Sequence, residues 1–217
     1  MSLHVVILAA GQGTRMRSEL PKMLHPVGGV PMVERVVLAA RGLSAASVDV
    51  VVGPSNGPAI RETLRNHPLR YPVQQEQLGT GHAVREALPE LPPEGTLLVL
   101  FADGPLVRTQ TLRDLVDGVP PDEVGLLTAE FDDPTGFGRI VRDGRGSVTG
   151  IVEQKDANEA QRAIREINTG IMVLPLPRLH RWLPALGSDN AQGEYYLTDV
   201  IAMASREGVP VHGVRAE

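Results

Sequence analysis

Leu3-His4-Val5-Val6-Ile7-Leu8 runs directly into Ala9-Ala10-Gly11-Gln12-Gly13-Thr14-Arg15-Met16, and then into Arg17-Ser18-Glu19-Leu20-Pro21-Lys22. The first six residues are mostly apolar and β-branched, which predicts a buried strand over Leu3 to Leu8. The small residues and two glycines that follow predict a loop with bared backbone N–H groups. Such a loop can cradle phosphate oxygens, because no side chain blocks the approach and the amide dipoles point inward. Arg15 and Lys22 add full positive charges close by, so the stretch reads as a nucleoside triphosphate site. A dinucleotide fingerprint needs a third glycine where Met16 stands, and a Walker loop needs Gly-x-x-x-x-Gly-Lys-Ser/Thr; neither spacing is present.

Outward from this stretch the pattern alternates. Pro31 at a first helical position is followed by a stripe of Val33, Val36, Val37 and Ala40. Residues 48–52 read as a buried strand, Ile60 and Leu64 as a helix ending near Asn66, and Tyr71 to Gln74 as a short strand. Gly81 to Leu88 reads as a helix, Thr96 to Phe101 as a strand and Thr109 to Val116 as a helix. Alternation of this kind predicts an α/β fold with a mostly parallel sheet covered on both faces. In such sheets ligands sit at the carboxyl ends of the strands, where the glycine loop and the residues after Phe101 both lie.

From Leu126 the chain turns antiparallel or mixed in character. Leu126 to Phe131, Gly138 to Val141, Val148 to Glu153, Ile167 to Leu174 and Val209 to Val214 read as strands. Helices are expected from Ala157 to Arg165, around Leu179 to Leu183 after Pro175 and Pro177, and from Tyr195 to Arg206. No linker separates two units, so residues 1–217 are expected to form one domain with a smaller second lobe.

Composition narrows the function classes. The 217 residues are 42% hydrophobic, and the net charge of −5 does not invite nucleic acid. No apolar run approaches the roughly 20 residues needed to span a bilayer, and no signal-peptide pattern precedes the first strand. Zero cysteines exclude disulfides and thiolate metal sites, in keeping with a cytoplasmic location. Of the 21 basic side chains only Lys22 and Lys155 are lysines. A compact ammonium can sit as a point charge on a phosphate where a guanidinium fork does not fit.

Four further stretches carry chemistry. In Gln74-Gln75-Glu76-Gln77-Leu78-Gly79-Thr80-Gly81-His82-Ala83 the glycines permit close backbone approach, Thr80 could cap a helix, and a carboxamide such as Gln74 can read the edge of a base. In Phe101-Ala102-Asp103-Gly104-Pro105-Leu106 a carboxylate follows a buried strand, where it could hold Mg²⁺ against a triphosphate. Asp132-Asp133-Pro134 reads as a turn. Around it, Gly136-Phe137-Gly138, Ile151-Val152-Glu153 and Glu166-Ile167-Asn168 supply the backbone amides, carboxylate and carboxamide that recognise sugar hydroxyls. Asn190-Ala191-Gln192-Gly193-Glu194-Tyr195-Tyr196-Leu197-Thr198-Asp199 completes the set.

These stretches resemble, in order and over almost the whole chain, the nucleotidyltransferases that join a nucleoside triphosphate to a sugar 1-phosphate. L-A-A-G-x-G-T-R-M with L-P-K, Q-x-E-Q-L-G-T-G-H-A and N-x-Q-G-E-Y-Y-x-T-D are similar to the uridylyltransferase domain of the bifunctional bacterial enzymes that make UDP-N-acetylglucosamine. Around Asp103 the chain departs from the family's G-D-V-P-L, with Ala102 and Gly104 as flanks. The resemblance implies a Rossmann-like nucleotidyltransferase fold with a smaller sugar-binding lobe. It implies UTP and N-acetylglucosamine 1-phosphate as substrates, Mg²⁺ as cofactor, and a role in cell-wall precursor synthesis.

By the same resemblance, Arg15 and Lys22 are catalytic and Asp103 is the metal ligand. Leu8, Ala9, Ala10, Gly11, Gly13, Gln74, Gly79 and Thr80 bind the nucleotide, while Gly138, Glu153, Asn168, Tyr196 and Thr198 line the sugar site. The family's C-terminal half is a left-handed β-helix acetyltransferase that trimerises, and its second magnesium ligand is an asparagine in a stretch beyond Glu217. The 217 residues contain neither, which leaves open whether the chain is a shortened form of such a protein. Three other readings stay open: a transferase for another pair such as dTTP or UTP with glucose 1-phosphate, a nucleotide-binding module with little activity, and, least supported, a Rossmann oxidoreductase.

Overall fold

β1 (Leu3–Leu8) is apolar on both faces because both faces are covered. Val5 and Ile7 enter one core cluster, Val6 and Leu8 the other, and all four are buried. The computed structural model describes residues 2–11, 13, 16, 18 and 20–216. Arg15 lies outside the described residues.

After β1 come β2 (Pro26–Val27), β3 (Val30–Pro31), α1 (Met32–Arg41), β4 (Ser47–Val51), α2 (Gly57–Thr63) and α3 (Thr80–Ala87). They are followed by β5 (Thr96–Phe101), α4 (Thr109–Asp117), β6 (Val124–Glu130), β7 (Arg139–Arg142) and β8 (Val148–Val152). The last elements are α5 (Glu159–Arg162), β9 (Glu166–Pro175), α6 (Leu176–Trp182), α7 (Asp199–Arg206) and β10 (Val211–Arg215). The main sheet has the order β10-β6-β9-β5-β1-β4. β4, β1 and β5 are mutually parallel, β10 is parallel to β6, and β9 runs antiparallel between β5 and β6. β7 pairs with both β8 and β9, which attaches the β7–β8 pair to the sheet. The fold is thus α/β, with a mixed, mostly parallel sheet flanked by helices.

Side chains from α1, α2 and α4, among them Val36, Ile60 and Leu112, cover the face that carries Val5 and Ile7. Side chains from α3, α6 and α7, among them Val84, Leu179 and Ile201, cover the opposite face. Leu8 pairs in register with Phe101, so the glycine loop and Asp103 emerge side by side at one sheet edge. No helix among the described residues is long and apolar enough to cross a membrane.

Several elements differ from expectation for identifiable reasons. In place of a strand over Tyr71 to Gln74 there are only isolated bridges, Asp49↔Arg70 and Val52↔Val73, because Pro72 between them has no N–H to continue the ladder. Pro31 occupies the N-cap of α1 and pairs with Pro26, not the first helical position. Pro177 lies within the first turn of α6, where a missing N–H costs nothing, so that helix starts earlier than expected. α5 is only four residues, and a reciprocal capping box between Asn158 and Gln161 fixes its start. The last helix starts at Asp199, not Tyr195, because the backbone before it is committed to another segment, described below.

β4 contains Asp49, whose side chain is fully buried. Arg70 grips it with Nε on Oδ1 at 2.6 Å and Nη2 on Oδ2 at 2.7 Å. A carboxylate in a buried strand is tolerated only with such bidentate pairing. Arg70→Ala strands that carboxylate and should cost about 3 kcal/mol or more in urea unfolding. Replacing both residues with apolar side chains should recover most of the loss.

Candidate active site

The loop after β1 is held open from beneath by two carboxamides. Buried Asn56 donates from Nδ2 to the Ala9 carbonyl at 2.9 Å and accepts from the Gly53 N–H at 2.8 Å. Gln77 donates from Nε2 to the Ala10 carbonyl at 2.9 Å. The sequence motifs assign neither residue a role. The signal for Asn56 was its turn, Pro54-Ser55-Asn56-Gly57-Pro58, at the carboxyl end of the strand beside β1. The Ala9 N–H donates to the Val51 carbonyl at 2.8 Å. With its side chain buried in the core and both backbone groups engaged, Ala9 lines neither cavity described below.

Gly13 has φ +63°, and a Cβ there would lie 2.3 Å from Lys22 Cβ. Only glycine lets the lysine stem lie across the loop. Lys22 opens a 3₁₀ turn, Lys22–Leu24, anchored by buried Met23 and Leu24. Its Nζ donates to Asp103 Oδ2 at 2.6 Å, with both side chains about a third exposed. The departures beside Asp103 leave this turn intact. Ala102 is fully buried and its N–H donates to the Leu8 carbonyl at 3.0 Å. A Cβ on Gly104 would meet only the Phe101 carbonyl, at an ordinary 3.6 Å.

A first cavity of about 350 Å³ opens here. It is lined by Leu8, Ala10, Gly11, Gly13, Lys22, Gln74, Gln77, Gly79, Thr80 and Asp103. The structure thus gathers every described residue expected at the nucleotide except Ala9. A second cavity of about 480 Å³ adjoins it and is lined by all five residues expected at the sugar: Gly138, Glu153, Asn168, Tyr196 and Thr198. Thr80, Phe101, Asp103 and Glu194 line both cavities, so the two form one continuous cleft. Nothing in its motif marks Glu194, and its place between the cavities emerges only from the fold.

The wall between the cavities is a backbone seam. Gly79 has φ +107°, and a Cβ there would lie 2.7 Å from the Tyr195 carbonyl. The Gly81 N–H donates to that carbonyl at 2.8 Å, and the Tyr195 N–H donates to the Leu78 carbonyl at 2.8 Å. Thr80 Oγ1 accepts from the Leu197 N–H at 3.0 Å. Thr80 therefore does not cap α3, whose N-cap is Gly79.

In the second cavity Thr198 Oγ1 donates to Glu153 Oε1 at 3.2 Å. Burial pushes the Glu153 carboxyl above its ordinary value; the Thr198 hydrogen bond opposes that rise, and Asp156 and Asp199 add to it. A Cβ on Gly138 would lie 3.2 Å from Glu153 Oε1, so the missing side chain keeps the carboxyl accessible. Asn168 Oδ1 accepts from the Gly170 N–H at 3.0 Å. Lys155 Nζ donates to Gln192 Oε1 at 2.7 Å, and Gln192 Nε2 donates to the Tyr196 hydroxyl at 2.8 Å. Burial raises the Tyr196 pKa, and in its contact with Gln192 the hydroxyl only accepts, which leaves its hydrogen to donate elsewhere. Asp132 and Asp133 line neither cavity, and Asp133 closes a turn by accepting from the Thr135 N–H at 3.1 Å.

Residues 5–175 match the MobA-like NTP transferase domain. The chain is 52% identical over 210 residues to the bifunctional protein GlmU of Cellvibrio japonicus, and 56% identical over 211 residues to that of Stutzerimonas stutzeri. Each alignment covers 97% of this chain and 46% of the relative, so the chain spans about half the length of the curated relatives it matches. The crystal structure of UDP-glucose pyrophosphorylase complexed with UDP-glucose superposes with a TM-score of 0.77 at 18% identity, covering 100% of this chain and 92% of that one. That likeness concerns the fold. A match spanning most of the chain, on a sheet whose carboxyl edge carries a glycine loop, a lysine and an aspartate around one cleft, makes the chain a member of the MobA-like NTP transferase domain family.

Proposed function

We propose that the chain transfers UMP from UTP to N-acetylglucosamine 1-phosphate, giving UDP-N-acetylglucosamine and pyrophosphate, with Mg²⁺ as cofactor. The observation that carries this reading is the division of the cleft. Residues expected at a nucleotide and at an amino sugar line adjoining cavities that meet at Thr80, Phe101, Asp103 and Glu194. The match to the MobA-like NTP transferase domain supports a nucleoside triphosphate as one substrate.

The reaction is an attack by a sugar-phosphate oxygen on the α-phosphorus of UTP. The new P–O bond forms as the bond to the bridging α–β oxygen breaks, and pyrophosphate leaves. The nucleophile is anionic near neutral pH and needs no general base. The obstacle is the approach of one anion to another. Lys22 answers it with a fixed positive charge at the mouth of the first cavity, and the loop held by Asn56 and Gln77 presents Ala10 and Gly11 toward the same space. No group of three His, Cys, Asp or Glu among the described residues could hold a metal, and Asp103 is a single partly exposed carboxylate at the junction. That donor set fits Mg²⁺, which favours one or two carboxylates supplemented by phosphate oxygens and water. Bound there, the ion would supply further neutralisation of the triphosphate.

Glu153 accepts from Thr198 and suits a sugar hydroxyl as partner; protonated Tyr196 suits an acceptor such as an amide carbonyl. The decisive assay is pyrophosphate release with UTP, N-acetylglucosamine 1-phosphate and Mg²⁺, compared with dTTP or glucose 1-phosphate. Turnover should be fastest with the first pair, and a preference for either substitute would overturn the assignment. Lys22→Ala should lower kcat by a factor on the order of 10² or more with the fold retained; unchanged turnover in the folded variant would remove Lys22 from the mechanism.

Glu153 also carries a pH signature. Its folded pKa is raised above the unfolded value, so the folded state binds more protons in that window and stability falls as pH rises through it. The penalty is absent below the unfolded carboxylate pKa and complete above the folded one. Glu153→Gln should therefore melt at a higher temperature than the parent near neutral pH, with the advantage shrinking in acid. Its affinity for the sugar phosphate should fall at the same time.

A further inference from the structure

Gln74 is buried, and its backbone N–H donates to the Val52 carbonyl at 2.9 Å, fixing it beside the carboxyl end of β4. One polar atom of its carboxamide lies 3.0 Å from the Gly79 carbonyl oxygen. A carbonyl can only accept, so that atom is the amide nitrogen. The same nitrogen lies 3.1 Å from His82 Nδ1. Two donors cannot face each other at that distance, so Nδ1 must offer its lone pair and the imidazole hydrogen must sit on Nε2. Glu86, one turn further along α3, places Oε1 3.2 Å from His82 Nε2, and a carboxylate there favours the hydrogen on that nitrogen.

Both amide hydrogens of Gln74 are thereby engaged. Among the described residues, none of the hydrogen bonds uses its Oε1, and Gln74 lines the first cavity. The carboxamide therefore shows a ligand an acceptor and no donor. A pyrimidine with an imide, as in uracil or thymine, carries an N–H on its ring edge that can meet this acceptor. Cytosine carries a lone pair at the corresponding ring nitrogen, which would face the Gln74 oxygen acceptor to acceptor.

We propose that His82 and Glu86 are positioning residues that hold Gln74 as a hydrogen-bond acceptor, and so make the first cavity selective for a nucleotide with an imide N–H over one with a bare ring nitrogen. The inference rests on the reading that this cavity receives the base of a nucleoside triphosphate. Neither residue touches the ligand; each acts through Gln74.

The test has three parts. Nitrogen-15 NMR of the unaltered chain reads the His82 tautomer directly, and the expected result is a hydrogen on Nε2 with Nδ1 bare. Dissociation constants for UTP and CTP with Mg²⁺, measured by calorimetry, should differ by about tenfold or more in favour of UTP. His82→Phe should narrow that ratio by about threefold or more, while His82→Asn, whose carboxamide oxygen can replace the Nδ1 lone pair, should keep it. A merely structural role would weaken UTP and CTP alike and leave the ratio unmoved. A hydrogen on Nδ1, or an unmoved ratio in folded His82→Phe, overturns the proposal while the nucleotide site stands. Equal affinity of the unaltered chain for UTP and CTP overturns it together with the reading of the cavity.

Discussion

The active cleft depends on one close approach of backbone to backbone. Leu78 to Gly81 and Tyr195 to Leu197 come from opposite parts of the chain, yet they exchange hydrogen bonds directly because two glycines carry no Cβ at the contact. This seam joins the helix under the first cavity to the segment that floors the second. Without it, Thr80 would not reach Leu197, and Glu194 would not stand between the cavities. The seam also sets where α7 begins, since residues already bonded across it cannot join a helix.

Much of this was legible in the residues themselves. Strands apolar on both faces, such as Leu3–Leu8 and Thr96–Phe101, announced a covered parallel sheet, and sheets of that kind bind at their carboxyl edge. The motifs then named most of the residues lining the cleft. What stayed hidden was polar and non-local. Asp49 in a buried strand makes sense only once Arg70 is placed beside it, and Asn56 only once its turn lies against the loop after β1. Periodicity reports which face is apolar; it does not report which distant donor answers a buried acceptor.

The overextended helices share one cause. Tyr195 to Thr198 and Ala157 to Arg165 have acceptable helical composition, and tertiary hydrogen bonds override it. The Phe131 N–H, for example, donates to the Arg165 carbonyl just before β9. Propensity is a weak influence beside a committed backbone group. The glycines expected to permit close backbone approach do so toward the chain itself. Gly79 and Gly81 are among the most constrained points of the chain, each held against Tyr195.

Lys22 and Asp103 already satisfy one another across the mouth of the first cavity. A bare polyanion must pull the ammonium from its carboxylate, and a lone dication meets that ammonium as a competitor. A salt of the two, arriving together, trades one contact for two of matching sign and leaves neither side chain stranded. Either charged half entering alone would leave one member of this pair without its partner.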